Sequence, residues 1–363
     1  MSVVAFRRRT SPPFPWRTAA VLIALFALLV AGLVYVGAQP RLPPPFGLAG
    51  NGLVAYSKDG DILTVDPATG TRRWVTSGTD IDEQPRWSLD GTRLAFFRLN
   101  GLVRPDVFDY AEWRVVIVDR DRNVVATSVP IRNVDPDAFA WSPDGRSLAV
   151  GASGTLALVD AADGAYRALD VTYEGLDIHW RPGQPHEILF RGRTADGIGL
   201  VVADVEDPGS ARLVVKDRDH EVVRPNGWTS DGRRVVYTRL DDRVDQPPGS
   251  ERLHVLDLTT LSDVEIQAAY GHVSNDGTRL LAVDLAGQPC VAPIDGGPCV
   301  VIGDAADAYS GFHAEAVHWA PDDTSIMVLR GSGRTVLLDP AGDPGAQPEW
   351  LADGGQSWQR VVP

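Results

Sequence analysis

The chain has 363 residues, 44% of them apolar and 23% charged, with 36 glycines and 27 prolines; so many turn-formers argue for short strands over long helices. The formal net charge is −14, yet residues 1–38 hold Arg7, Arg8, Arg9 and Arg17 and no acidic residue. The remainder sets 30 basic against 48 acidic side chains, a net of −18 that repels nucleic acid and anionic headgroups and excludes nucleic-acid binding from the expected functions.

Residues 1–18 read as a basic cytoplasmic segment, and residues 19–38, from Ala19 to Ala38, are an unbroken apolar run, "AAVLIALFALLVAGLVYVGA". As a helix the run spans about 30 Å, the thickness of a bilayer core, and it is longer than the apolar part of a cleavable signal. It predicts a single-pass signal-anchor, and the arginines on its short side place the N-terminus in the cytoplasm and the acidic remainder across the membrane. The alternative is secretion after cleavage at Ala38, where "VGAQ" supplies small residues. Residues 39–50, "QPRLPPPFGLAG", form a Pro-rich spacer.

Residues 51–363 repeat one phrase. It reads "RWSLDGTRLAFFR" from residue 86, "FAWSPDGRSLAVG" from residue 139 and "GWTSDGRRVVYTR" from residue 227. The aromatic slot is filled by Trp87, Trp141, Trp180, Trp228, Val273, Trp319 and Trp358, at intervals of 54, 39, 48, 45, 46 and 39 residues. Such spacing is that of four-stranded propeller blades, so seven slots predict an all-β, seven-bladed β-propeller. Blade three displays the grammar: strands at 138–142, 147–151, 155–160 and 165–169, joined by short turns. In its first turn Ser142 bonds the backbone, Pro143 sets φ, and Gly145 takes the left-handed position. Two copies, "RPGQ" at 181 and "APDD" at 320, read as degraded. The tryptophans read as packing residues between adjacent sheets. Blade one lacks an inner strand, which "QSWQRVV" at 356–362 supplies by returning beside residues 52–57 and closing the ring.

The two cysteines, Cys290 and Cys299, flank a turn over residues 293–296. They face each other across a hairpin and suit a disulfide outside the cytoplasm.

The phrase W-S-P-D-G-x-x-I-A-F, seen at 141–150 and 87–96, resembles the WD40-like PD40 repeat of TolB-type propellers. The resemblance covers residues 51–363 and implies the propeller fold, with a role as an envelope scaffold or as the accessory domain of a peptidase. TolB-type proteins would have six blades and a separate N-terminal domain, whereas this chain counts seven slots.

No G-x-S-x-G elbow occurs, which excludes the serine hydrolases that carry such a propeller. "VDPATGTRRW", residues 65–74, resembles the D-x-x-T-G-x-x-x-W phrase of quinone-dependent dehydrogenase propellers, but one copy reads as a turn capped by Asp66. His179, His272 and His318 share the slot just before the aromatic, whose other occupants are Arg86, Ala140, Gly227 and Ser357. Oligogalacturonate lyases resemble this architecture, with seven blades and a histidine-bound metal at the channel, so these three are the candidate metal ligands. The competing reading turns them into the sheet interfaces. "DRDRN" at 119 and "NVDPD" at 133 lack the spacing of a calcium loop and read as solvated turns. The long insertions at 99–113, 240–251 and 303–316 fall at one end of the propeller and offer Tyr110, Trp113, Tyr309, Phe312 and His313 as a binding face.

No cofactor is expected. The leading expectation is a non-catalytic, membrane-anchored module that binds envelope proteins, in a bacterium with a GC-rich genome as 32 arginines to two lysines suggest. The alternatives are a metal-dependent carbohydrate-active enzyme at the channel, lyase-like, and a small-ligand sensor.

Overall fold

In the computed structural model the repeat phrase forms the inner two strands of each sheet, because its turn is held from within. In blade three the strands are Val134–Trp141, Ser147–Ala152, Thr155–Asp160 and Tyr166–Ala168. Ser142 Oγ donates to Asp144 and accepts from the Ser147 N–H at 3.0 Å, while Gly145 sits at φ +66°. A residue without Cβ holds that φ at least cost. The same hydroxyl-to-aspartate bond recurs as Ser88 to Asp90, Thr229 to Asp231 and Ser274 to Asp276.

The structure describes residues 43, 45–99, 112–241, 251–302, 317–329, 335–343, 347 and 357–362. Residues 42–363 cluster as one unit apart from residues 1–41. Among the described residues no helix is long and apolar enough to cross a membrane, and the apolar run at 19–38 lies outside them.

Seven antiparallel sheets make up the fold, six of them running in chain order from inside to outside, while the first takes its inner strand from the C-terminal part of the chain. Between every two consecutive sheets lies a cluster of buried apolar side chains. Phe97 and Ile117 of blade two meet Phe139 and Leu148 of blade three, and Val236 and Val255 of blade five meet Leu280 and Ala282 of blade six. The last cluster joins Met327 of blade seven to Val54 and Tyr56 of blade one. The fold is therefore an all-β, seven-bladed propeller whose core is a ring of interfaces. Blade one holds Gly50–Lys58, Asp61–Val65 and Arg72–Trp74, with Ser357–Val361 paired antiparallel to Gly50–Lys58, Trp358 opposite Val54.

The repeat tryptophans do more than fill space. Each indole N–H of four of them donates to the carbonyl of the residue just before the aromatic slot of the preceding blade: Trp141 to Arg86 at 2.9 Å, Trp180 to Ala140 at 3.0 Å, Trp228 to His179 at 3.3 Å and Trp319 to His272 at 3.1 Å. The indole nitrogens of Trp87 and Trp358, on either side of blade one, are buried without a partner. There the Trp87 backbone N–H bonds Ser357 Oγ at 2.9 Å, and Gln359 Nε2 bonds the Gly91 carbonyl at 2.7 Å.

Cys290 and Cys299 form a disulfide with Cα atoms 5.4 Å apart, tying Pro289–Pro293 to the strand Val300–Val301. Replacing both by Ser should lower stability by about 2–3 kcal/mol through loop-closure entropy; a urea midpoint equal to that of the parent would contradict this. Trp141→Phe and Trp87→Phe remove the same ring volume, but only the first strands a carbonyl. Trp141→Phe should therefore cost about 1 kcal/mol more than Trp87→Phe in paired chemical denaturation.

Candidate functional site

Since consecutive strands are antiparallel, the turns between inner and second strands lie on one face of the ring, here the inner-turn face. The links between second and third strands, and between blades, lie on the other. A cavity of about 380 Å³ occupies the channel at the inner-turn end, where Leu89 and Pro182 of two such turns form part of its wall.

The slot before the aromatic lines this cavity in six consecutive blades, as Arg86, Ala140, His179, Gly227, His272 and His318. Register shifts next to the slot re-aim it in blades two, five and six, between Glu83 and Arg86, Pro225 and Gly227, and Ala269 and His272. A bulge of this kind turns side chains off the regular alternation. His179, His272 and His318 all line the channel cavity, in place of the sheet interfaces that strict alternation favoured; among them only His272 adjoins such a shift, and His179 and His318 pair regularly with Leu189 and Met327. His272 and His318 stand with ring centroids 6.1 Å apart, tilted by 47°. At Gly227, φ +132°, a Cβ would come 3.6 Å from His179 Nδ1, so the glycine leaves room for that ring.

Asp177, also on the wall, is bound by Arg224 through Nε at 3.1 Å and Nη2 at 3.0 Å, and Arg224 stacks on Tyr270. Asn226 accepts a bond from Thr238 at 2.8 Å. Neither Asp177, Arg224 nor Asn226 was singled out by the repeat, since each lies in a part of the inner strand that the phrase does not cover.

His179 is half-buried, its remaining surface belonging to the recess. Burial there is the main cause that holds its imidazole down at about 4; His272 and Arg224 push the same way, and Asp177 and the Pro225 backbone oppose them. Its Nε2 is buried without a hydrogen-bond partner. Among the described residues no group of three or more His, Cys, Asp and Glu is arranged to hold a metal ion. Asp177 on the wall is committed to Arg224 and Arg86 adds positive charge, so the imidazoles of His179, His272 and His318 are the metal-ligating groups that the wall itself offers.

Of the proposed binding-face residues, Trp113 is half-buried and packs edge-to-face on Phe97 with centroids 6.2 Å apart, against the core between blades two and three. It is a packing residue and not an exposed anchor. Tyr110, Tyr309, Phe312 and His313 lie outside the described residues. The described strands that flank their segments, Arg93–Leu99 and Glu112–Asp119 on one side and Val300–Val301 and Val317–Trp319 on the other, all lead to the face opposite the inner turns.

The chain reaches the ring on the inner-turn face. Phe46 lines the cavity, the Ala49 N–H bonds the Pro321 carbonyl at 2.9 Å, and the Gly47 carbonyl accepts from Arg360 Nη2.

No protein-family model and no curated sequence matches the chain. Solved structures do. An oligogalacturonate lyase in complex with manganese is 15% identical over 83% of this chain and 93% of its own, with a TM-score of 0.55. The Cps50 (Swd1) β-propeller domain of Myceliophteria thermophila is 15% identical over 78% of this chain and 91% of its own, at 0.56. A TolB from Agrobacterium tumefaciens is 20% identical over 66% of this chain and 94% of its own, at 0.47, too distant to discriminate among propellers. At these identities the likeness establishes the fold alone.

The His179 shift has a signed consequence. Unfolded histidine titrates near 6.5 and the folded ring at about 4, so between these values the unfolded chain holds a proton that the native one lacks. Stability should fall as pH drops from 6.5 toward 4, by about 3 kcal/mol in all from this group, and His179→Gln should flatten that slope. Urea midpoints at pH 7 and pH 4.5 check it, as does the His179 ring resonance; titration above pH 6 would contradict it.

Proposed function

We propose that this protein is a non-catalytic, membrane-anchored β-propeller of the TolB-like, PD40-repeat kind that binds a partner protein in the bacterial cell envelope. The observation that carries the reading is a separation of faces. Residues 45–49 join the ring on the inner-turn face, whereas the strands bordering the segments 100–111, 242–250 and 303–316 end on the other. The reading takes residues 19–38 as the anchor and the face opposite the one the chain enters as the face for a partner. The closing pair between Ser357–Val361 and Gly50–Lys58 supports this: an edge held inside the ring leaves fewer unpaired backbone groups on an exposed module. Exposed aromatics in those connections would then be the anchors of the interface.

The enzyme alternative draws on the likeness to oligogalacturonate lyase, which holds at the level of the fold, and among the described residues no group of three or more His, Cys, Asp and Glu is arranged to hold a metal ion.

Two measurements test the proposal. In spheroplasts, external protease should degrade the propeller and leave a protected N-terminal fragment; a mature chain beginning at Gln39 would replace the anchor by secretion. Changing Tyr110, Tyr309 and Phe312 to Ala should weaken capture of a cross-linked envelope partner by tenfold or more, as interface anchors typically do, whereas the triple change of His179, His272 and His318 to Gln should leave capture intact. Stoichiometric Mn or Zn in the purified protein, lost in the histidine variant, would overturn this reading in favour of the enzyme.

A further inference from the structure

We propose that residues 45–49 are a built-in cover on the inner-turn mouth of the channel, with Phe46 standing over the histidine cavity and Arg360 as the clasp that holds it there. The chain that leads into the ring would then control access to His272 and His318 from that side.

The cover is fixed at three places. Phe46 forms part of the same wall as the two histidines, although it belongs to no blade. Gly47, at φ +86°, turns the chain so that its carbonyl points at the guanidinium of Arg360. One turn further, Ala49, only 2% exposed, bonds the inner turn of blade seven.

The clasp is itself over-determined. Arg360 is 8% exposed, an unusual place for a guanidinium, and its second terminal nitrogen donates to Asn275 Oδ1 at 2.7 Å. Asn275 is held in turn by Asp323, whose carboxylate accepts from the Asn275 backbone and side chain at 2.9 and 2.7 Å and from the Asp276 N–H at 2.8 Å. A buried guanidinium is tolerable only where its donors are satisfied and an opposite charge is near; the Gly47 carbonyl is one of those acceptors. Releasing the cover would cost Arg360 the Gly47 carbonyl, and that bond holds the cover down. Only Arg offers two donors at this spread, and a lysine ammonium does not reproduce the fork.

The experiment is site-resolved modification of the full-length protein by diethyl pyrocarbonate, which acylates neutral imidazole, read by peptide mass spectrometry. The exposed His186 and His220 serve as references. Phe46→Ala should raise the modification rates of His272 and His318 severalfold relative to the references, with Phe46→Leu in between, because the effect follows the size of the side chain over the cavity. Arg360→Lys should raise them as well. Rates that stay unchanged in Phe46→Ala would overturn the cover. A rise shared equally by every histidine would overturn it too, since it would report general loosening and not the opening of one mouth.

Discussion

Everything in this ring depends on how one strand meets the next blade. Six of the seven inner strands carry a tryptophan that enters the wedge between two sheets, and in four blades its indole N–H reaches the carbonyl one residue before the aromatic slot of the preceding blade. Sheets that pack only by apolar contact slide at little cost. A buried donor and acceptor with one good geometry remove that freedom, because any shift leaves both unsatisfied. The bond thus sets the angular register from blade to blade, while the clusters between sheets supply most of the stabilisation. Where blade six has Val273 no donor exists, and around blade one the donors of Trp87 and Trp358 find nothing. At that seam other groups act: Gln359 bridges Leu53 and Gly91, and Arg360 bridges Asn275 and Gly47. Gly91 has no alternative there, since a Cβ would lie 1.9 Å from the Arg360 carbonyl.

This division of labour frees a position. In four blades the backbone of the residue before the aromatic is committed as an acceptor, and in six its side chain lines the channel; in blade one the slot residue Ser357 instead bonds the Trp87 N–H of blade two. The slot varies from Arg86 through Ala140 and Gly227 to three histidines. The outcome is a recess whose character comes from side chains of successive blades that adjust to one another, as Gly227 does to the ring of His179.

The architecture was legible in the sequence because its causes are local. A turn that needs Ser or Thr, Asp and Gly, and a wedge that needs a large ring, both leave residue-level marks at a fixed period, and blade three matches its predicted strands to within a few residues at each end. The site was less legible because its causes are not local. The histidines were recognisable as a set, but that they line one cavity follows from how successive blades are arranged round the channel, which the phrase does not record. Trp113 reads as a loop residue until Phe97 is placed beside it. "APDD" reads as a decayed turn. In fact Asp323 takes the left-handed position, at φ +58°, and its carboxylate binds the turn of blade six. What looks like loss of the pattern is a replacement of glycine by a residue that can both tolerate the φ and hold its neighbour. Arg360, three residues from the end, carried no signal at all, since only the fold brings it under Gly47.

The acidity of the chain has the same structural origin. Burial alone would raise the carboxyl of Asp90, but hydrogen bonds from Ser88 and Thr92 and the charge of Arg93 outweigh it and hold the group below its ordinary range; Asp231 and Asp276 are held down in the same way, by Thr229 and Arg234 and by Ser274, Thr278 and Arg279. Each of these aspartates is ionised because the turn needs an acceptor that can take several N–H and O–H donors at once. Repeating the turn around the ring multiplies the charge. A net of −18 after the first 38 residues is therefore largely what a propeller of aspartate-capped turns accumulates, and it does not by itself mark a face for a cationic partner. It also fixes the direction of acid sensitivity, since a carboxyl whose folded value lies below its unfolded one contributes stability above the unfolded value and loses it as pH falls through the folded one. That window lies below the one set by His179. Acid should thus loosen the ring in two stages, first as the channel imidazole is drawn to take up a proton and then as the turns lose their acceptors.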